Sequence, residues 1–172
     1  MNNWPITYSS LGFGALITDN TVIKMQQIIR ESAKNIDVRN TAANIISACA
    51  PKDYFCEANS IYNWVKDNSR YTRDIEGTEL IFSPLVALDE IANGNIFFGD
   101  CDDLTVLALS LLKSVGFRTA LRTASYIPSR QFHHVYGLVM IKGVWTPIEM
   151  IKKEAPIGWE APSATAIKDY EI

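Results

Sequence analysis

Cysteine is scarce in this chain, and what its three cysteines cannot do sets the first limits. Cys49, Cys56 and Cys101 are too few and too odd in number for a disulfide framework, and their spacing matches no zinc motif. They are therefore expected as free thiols, with Cys49 and Cys56, set among apolar residues of helical segments, as small buried core residues. No stretch of about 18 apolar residues occurs, so no membrane-spanning helix is expected. Residues 1–20 also lack a basic stretch followed by an apolar run, which predicts a protein made and kept in the cytoplasm. Positive charge is not in excess either. A formal charge of −3 gives no basic footprint for nucleic acid or an anionic membrane, and neither is expected as a partner. Internal repeats, low-complexity tracts and convincing linkers are missing too.

What is present is the balance of a soluble globular domain: 48% apolar residues can build a core, and 20% charged residues can cover it. A length of 172 residues suits a single domain, since single cores run to roughly 100–200 residues. Residues 1–20, with Trp4, Pro5, Gly12, Gly14 and no sustained period, read as an irregular arm. From Thr21 the positions Ile23, Gln27, Ile28 and Ala33 predict a helix capped at Asp19 or Asn20 and ending near Asn35. A second helix follows at about 38–48. Pro51 breaks the chain, and Asp53 can cap a third helix that carries Ala58, Ile61, Tyr62 and Val65 at helical spacing and ends near Asn68. Ser83-Pro84 opens a fourth, with serine as cap and proline at the first helical position, and Asn93-Gly94 closes it.

The strongest helix begins at Cys101. Leu104, Leu107, Ala108, Leu111, Leu112 and Val115 lie on one stripe with the cysteine, and Gly116 ends it. The period then changes. Residues 117–126, 133–141 and 144–148 are rich in β-branched and aromatic side chains, and Lys142-Gly143 joins the last two as a hairpin. Helices first and antiparallel strands second predict an α+β domain with the Cys101 helix packed on the sheet. The tail after Lys152, with Pro156, Gly158 and Pro162, reads as an irregular surface strap.

A thiol attacks a carbonyl as thiolate, so a catalytic cysteine needs a base, and the base needs a partner to hold its ring. Cys101, His134 and Glu149 supply the three in chain order. A helix N-terminus beside Cys101 offers partial positive charge and backbone N–H groups to a thiolate and to an oxyanion, which favours Cys101 over the other two cysteines. His134 and Glu149 lie nearly symmetrically about the Lys142-Gly143 turn, which makes them neighbours in a hairpin. His133 faces the other side of its strand and is the fallback base. A second oxyanion donor beside the Cys101 N–H is sought upstream, in Tyr71 or Trp64. Asp100, Asp102 and Asp103 complement the helix N-terminus, Asp100 as its cap, and no metal site is expected from them. The carboxylates would raise the thiol pKa and the helix end and imidazolium would lower it; net depression is expected.

At these residues the chain resembles a known family. Gly99-Asp100-Cys101-Asp102-Asp103, the helix through Leu111-Leu112 to Gly116-Phe117-Arg118, His134-Val135-Tyr136 and Trp145-Thr146-Pro147-Ile148-Glu149 look like successive blocks of the transglutaminase-like superfamily. Trp64-Val65 and Arg70-Tyr71 also fit, so the likeness spans about residues 61–149. It implies a papain-like core in which Cys101 attacks an amide or ester carbonyl, forms a thioester and passes the acyl group to water or an amine, with His134 as base. The family's third block usually ends in Asp where this chain has Glu149. The expected layout is an irregular arm over 1–20, a helical part over 21–60, a catalytic core over 61–149 and a strap over 150–172. Compact phage-encoded members look similar over nearly the whole chain, which suggests a virion setting and virion proteins as partners. The leading expectation is a cysteine hydrolase, or thiol protease, acting on peptide or protein amide bonds without a cofactor. Acyl transfer to an amine is its rival within enzymology. A phage structural or interaction protein that keeps the fold without turnover is the rival of another class.

Overall fold

Helices in this chain start where short polar side chains can accept from the open amides of a first turn. A computed structural model, which describes residues 7–9, 19–73 and 79–172, shows Asn35 capping α2 (Ile36–Ile46) and Asp53 capping α3 (Tyr54–Asn68). Ser83 caps α4 (Pro84–Ala92), and Asp100 caps α5 (Cys101–Ser114). α1 spans Asp19–Ser32. Its buried stripe is Val22, Met25 and Ile29, while Ile23 is 61% exposed, so the stripe lies one position away from the expected one. One residue is about 100° of helix rotation, enough to turn Ile23 to solvent. Trp4, Pro5, Gly12 and Gly14 of the expected arm lie outside the described residues. Within that arm Thr7–Ser9 form β1, which pairs antiparallel with β3 (Glu79–Ile81).

α5 is the axis of the domain. Every residue from Asp102 to Leu112 is buried, the pattern of a helix covered on all sides. It packs against α1, α2 and α3 on one side and the sheet on the other. Full burial of each of Leu104, Leu107, Leu111 and Leu112 contributes about 1.5–3 kcal/mol relative to exposure, so its position is held mainly by apolar area.

The main sheet has the order β7-β6-β5-β8, all antiparallel, with β5 at Thr119–Ser125, β6 at His134–Ile141, β7 at Val144–Ile148 and β8 at Ala166–Glu171. The β6–β7 turn is the expected Lys142-Gly143 pair, both residues at positive φ (49° and 86°), which matches the right-handed twist of a hairpin. At Gly137 a Cβ would stand 2.6 Å from Ile148 and 2.8 Å from Leu109. Only glycine lets β6 lie this close to α5.

Two expectations are corrected and one strand pair is added. The tail is not wholly irregular: Gly158 N–H reaches the Pro147 carbonyl at 2.8 Å, and β8 then adds to the free edge of β5. Ser69–Tyr71 (β2) and Phe97–Gly99 (β4) form a short parallel pair that was not anticipated. Cys49 and Cys56 are bonded to each other, with Cα atoms 5.8 Å apart, across the turn between α2 and α3. That turn folds the chain back at Pro51, so cysteines seven residues apart meet, and Cys101 is left as the free thiol. None of the described helices is long and apolar enough to cross a membrane.

Candidate active site

The step from β4 into α5 is built to hold the first helical residue in one pose. The Asp100 carboxylate accepts from the N–H groups of Asp102 (3.1 Å) and Asp103 (3.5 Å), and the Asp103 carboxylate accepts from Asp100 N–H at 3.2 Å, a reciprocal capping box. Asp103 also accepts from Phe82 N–H at 2.7 Å, tying the approach to α4 to the same cap. A Cβ on Gly99 would stand 2.7 Å from the Asp103 Cβ, so the chain turns here only with glycine. Cys101 sits between these acids.

Asp102 differs from its neighbours. It is 1% exposed, and neither carboxylate oxygen has a hydrogen-bond partner among the described residues. The donor atoms of Asp100, Cys101 and Asp102 lie within 4.8 Å of one another, which makes these the described residues that could hold a metal ion. The set mixes a soft thiol with hard carboxylates, and Asp100 already serves the helix cap.

His134 opens β6 and Glu149 directly follows β7. The hairpin brings His134 Nε2 to 2.7 Å from Glu149 Oε2, with 8% and 2% of the residues exposed. Glu149 therefore does not solvate a strand end. Its second oxygen accepts from Ile151 N–H at 3.2 Å, which fixes the carboxylate plane. With Nε2 turned to the carboxylate, Nδ1 is the nitrogen left for a thiol. Tyr136, two residues on and on the same strand face, stacks on the imidazole at 5.5 Å between centroids and 29° between planes, and its hydroxyl donates to Glu160. The period-two rule could have flagged that contact from the His-x-Tyr spacing. His133 lies before the strand, its Nδ1 3.1 Å from the Gln131 carbonyl, and is not paired with Glu149.

Helix and strand meet at Val135. The Val135 backbone hydrogen-bonds the Cys101 sulfur, and Thr105, one turn along α5, donates to the Val135 carbonyl at 3.4 Å. The residue next to His134 is thus in contact with the cysteine. Cys101 is half-buried, and the protein packed around its sulfur pushes the thiol pKa well up. Asp100 adds to the rise, as do Glu149 and Asp103 more weakly, while the Val135 hydrogen bond opposes it. The direction is opposite to the expected net depression: the protein around the sulfur and the charges of Asp100, Glu149 and Asp103 outweigh the Val135 hydrogen bond.

Of the two upstream aromatics, Tyr71 reaches the site. β2 lies beside β4 with Tyr71 opposite Gly99, two residues before the cysteine. Its phenol is pushed up first by burial and then by the charge of Cys101. Trp64, on α3, is partly buried against the core. A separate cavity of about 300 Å³ opens at the other end of α5, between Tyr54, Phe117, Arg118 and Met140, away from this chemistry.

A model of the Transglutaminase-like superfamily matches residues 39–150, a span that holds Trp64, Tyr71, Cys101, His134 and Glu149. No curated protein sequence matches the chain. Among solved structures, a candidate protease from Parabacteroides distasonis is similar at 10% identity with a TM-score of 0.59, over 78% of this chain and 26% of that one. This chain therefore spans about a quarter of that protein. LapG of Legionella pneumophila is similar at 17% identity and TM-score 0.50, over 87% and 82% of the two chains. Its calcium-bound form gives 17% and 0.51, over 84% and 80%. At such identities the likeness is one of fold, and none of the three is described as phage-encoded.

Proposed function

The chain belongs to the transglutaminase-like superfamily, and from that premise we propose that it is a cysteine hydrolase that cuts an amide bond in a peptide or peptide-like substrate. The observation that carries the reading is the buried His134–Glu149 pair, 2.7 Å across, beside a helix-terminal cysteine. A substrate carbonyl seated over Cys101 is attacked by sulfur as Nδ1 of His134 takes the thiol proton. The imidazolium so formed is stabilised by the Glu149 carboxylate. The developing oxyanion meets the Cys101 N–H, which the Asp100 cap does not take, and the Tyr71 hydroxyl is the second donor. His134 then returns the proton to the departing amine, leaving a thioester. Water, deprotonated by the same imidazole, releases the acid and restores the thiol.

A thiol raised by burial keeps its proton until the base acts. Alkylation of Cys101 by iodoacetamide, followed by peptide mass spectrometry from about pH 4 to 9, should therefore proceed near neutral pH in the native chain. In His134→Ala it should move to strongly alkaline pH. An identical pH course in both proteins would overturn the hydrolase reading.

The same burial favours a second reading, a protein that keeps the fold without turnover, of the kind a virion component would be. Under it, Cys101→Ser leaves the biological role intact.

A further inference from the structure

Lys66 occupies a place on α3 where a helix normally sets an apolar residue. It is 6% exposed, one turn beyond the fully buried Tyr62. Its Nζ donates to the Tyr62 hydroxyl at 3.0 Å and to the Ala155 carbonyl at 2.6 Å, and lies 4.5 Å from the Tyr62 ring centroid. The Tyr62 hydroxyl in turn donates towards the carbonyls of Glu149 (3.0 Å) and Ala155 (2.8 Å). Residues 149 and 155 are the two ends of the segment that leaves β7, so one buried pair gathers both ends of it. An enclosed ammonium is costly unless negative charge and acceptors surround it. The core itself has no need of one here.

We propose that Lys66 is a positioning residue of the His134–Glu149 pair, fastening the 149–155 segment and supplying buried positive charge to balance the Glu149 carboxylate. The inference rests on that pair working as the proposed hydrolase requires. Each turnover passes through stages in which the imidazole is neutral. At those stages a carboxylate 2% exposed has no charge from His134 to balance it, which is costly in a buried place. Lys66 removes that weakness.

The charges around both groups agree. Glu154, Glu149 and Asp67 face Lys66 and favour its charged form, against a burial that lowers its pKa. Glu149 faces His134 from β6, Cys101 from α5, Tyr62 and Lys66 from α3, and Tyr126 from the end of β5. Cys101, Tyr62 and Tyr126 are not cations, so besides the imidazole only Lys66 brings positive charge to it among these groups. The same carboxylate, with burial as the larger cause, pushes the Tyr62 phenol up, which keeps that hydroxyl a donor.

The test is an NMR titration of the carbon-13-labelled Glu149 carboxyl in the native chain, Lys66→Met and Lys66→Arg, run beside the Cys101 alkylation profile. Lys66→Met should raise the carboxyl pKa by about one to three units and carry the acid limb of alkylation upward with it, and Lys66→Arg should restore both. A carboxyl that titrates at the same pH in folded Lys66→Met overturns the proposal. Should Lys66→Met not fold, the reciprocal measurement decides: in Glu149→Gln the Lys66 ammonium must titrate lower than in the native chain, and an unmoved ammonium overturns the proposal. The two failures are separable. An unmoved carboxyl with His134-dependent alkylation intact removes the role of Lys66 alone, whereas alkylation indifferent to His134 removes the hydrolase reading and the positioning role together.

Discussion

The hairpin half of the site and the helix half both bury acids, but they settle them differently. On the hairpin, each oxygen of Glu149 has a partner, His134 Nε2 or Ile151 N–H, and the carbonyl of the same residue is held by Tyr62. On the helix, Asp102 is as deeply buried with neither oxygen partnered among the described residues, and the Cys101 thiol is pushed up by enclosure and by Asp100. A satisfied polar network fixes geometry, while an unsatisfied one stores electrostatic cost. Under the hydrolase reading, the hairpin would hold the base still, and the electrostatic cost would sit at the helix end beside the nucleophile.

The largest expected effect comes from breaking the satisfied half. Glu149→Gln keeps the shape of the side chain and removes the charge that stabilises imidazolium, so neutral-pH alkylation of Cys101 should fall about 10- to 1,000-fold. A loss below threefold would mean that the hairpin merely props the ring. A smaller effect is expected in alkaline stability. Burial raises the Cys101 thiol from 9.0 and the Tyr62 and Tyr136 phenols from 10.0, so above those values the unfolded chain sheds protons that the folded one keeps. Stability present below about pH 9 is then lost as pH rises. Urea midpoints measured against pH should fall less steeply in Cys101→Ser, and parallel curves would refute an enclosed thiol. The smallest effect sharpens the helix half. Asp100→Asn preserves a good cap and removes one negative charge beside sulfur, so alkylation should quicken about two- to tenfold at fixed pH with little change in stability. A slower reaction would place the charge of Asp100 in the opposite role.

Legibility in the sequence followed the range of the forces involved. Caps act within one turn, so Asp53, Ser83-Pro84 and Asp100 marked their helices, and the hairpin declared itself through Lys142-Gly143. The nearness of His134 and Glu149 follows from that turn. By contrast, β2 and β4 are three residues each, too short to show a period, and they pair across about 28 residues of chain. β8 carries Lys168, Asp169 and Glu171 as an exposed edge strand, so its composition reads as loop. The rise of the thiol pKa depended on how much protein encloses the sulfur, which no spacing encodes. Lys66 drew no reading from the sequence, because its contacts with the Tyr62 hydroxyl and the Ala155 carbonyl join parts of the chain far apart.

The Cys49–Cys56 bond has a consequence for bookkeeping of thiols. It closes a ring of about eight residues, whose chain-entropy contribution is about 2.5 kcal/mol. It also removes two of the three sulfurs from the pool that a reagent can count, so a molecule folded under oxidising conditions yields one titratable thiol after denaturation and a molecule folded under reducing conditions yields three. The chain thereby carries its own record of the surroundings in which it matured, readable by the stoichiometry of label per molecule.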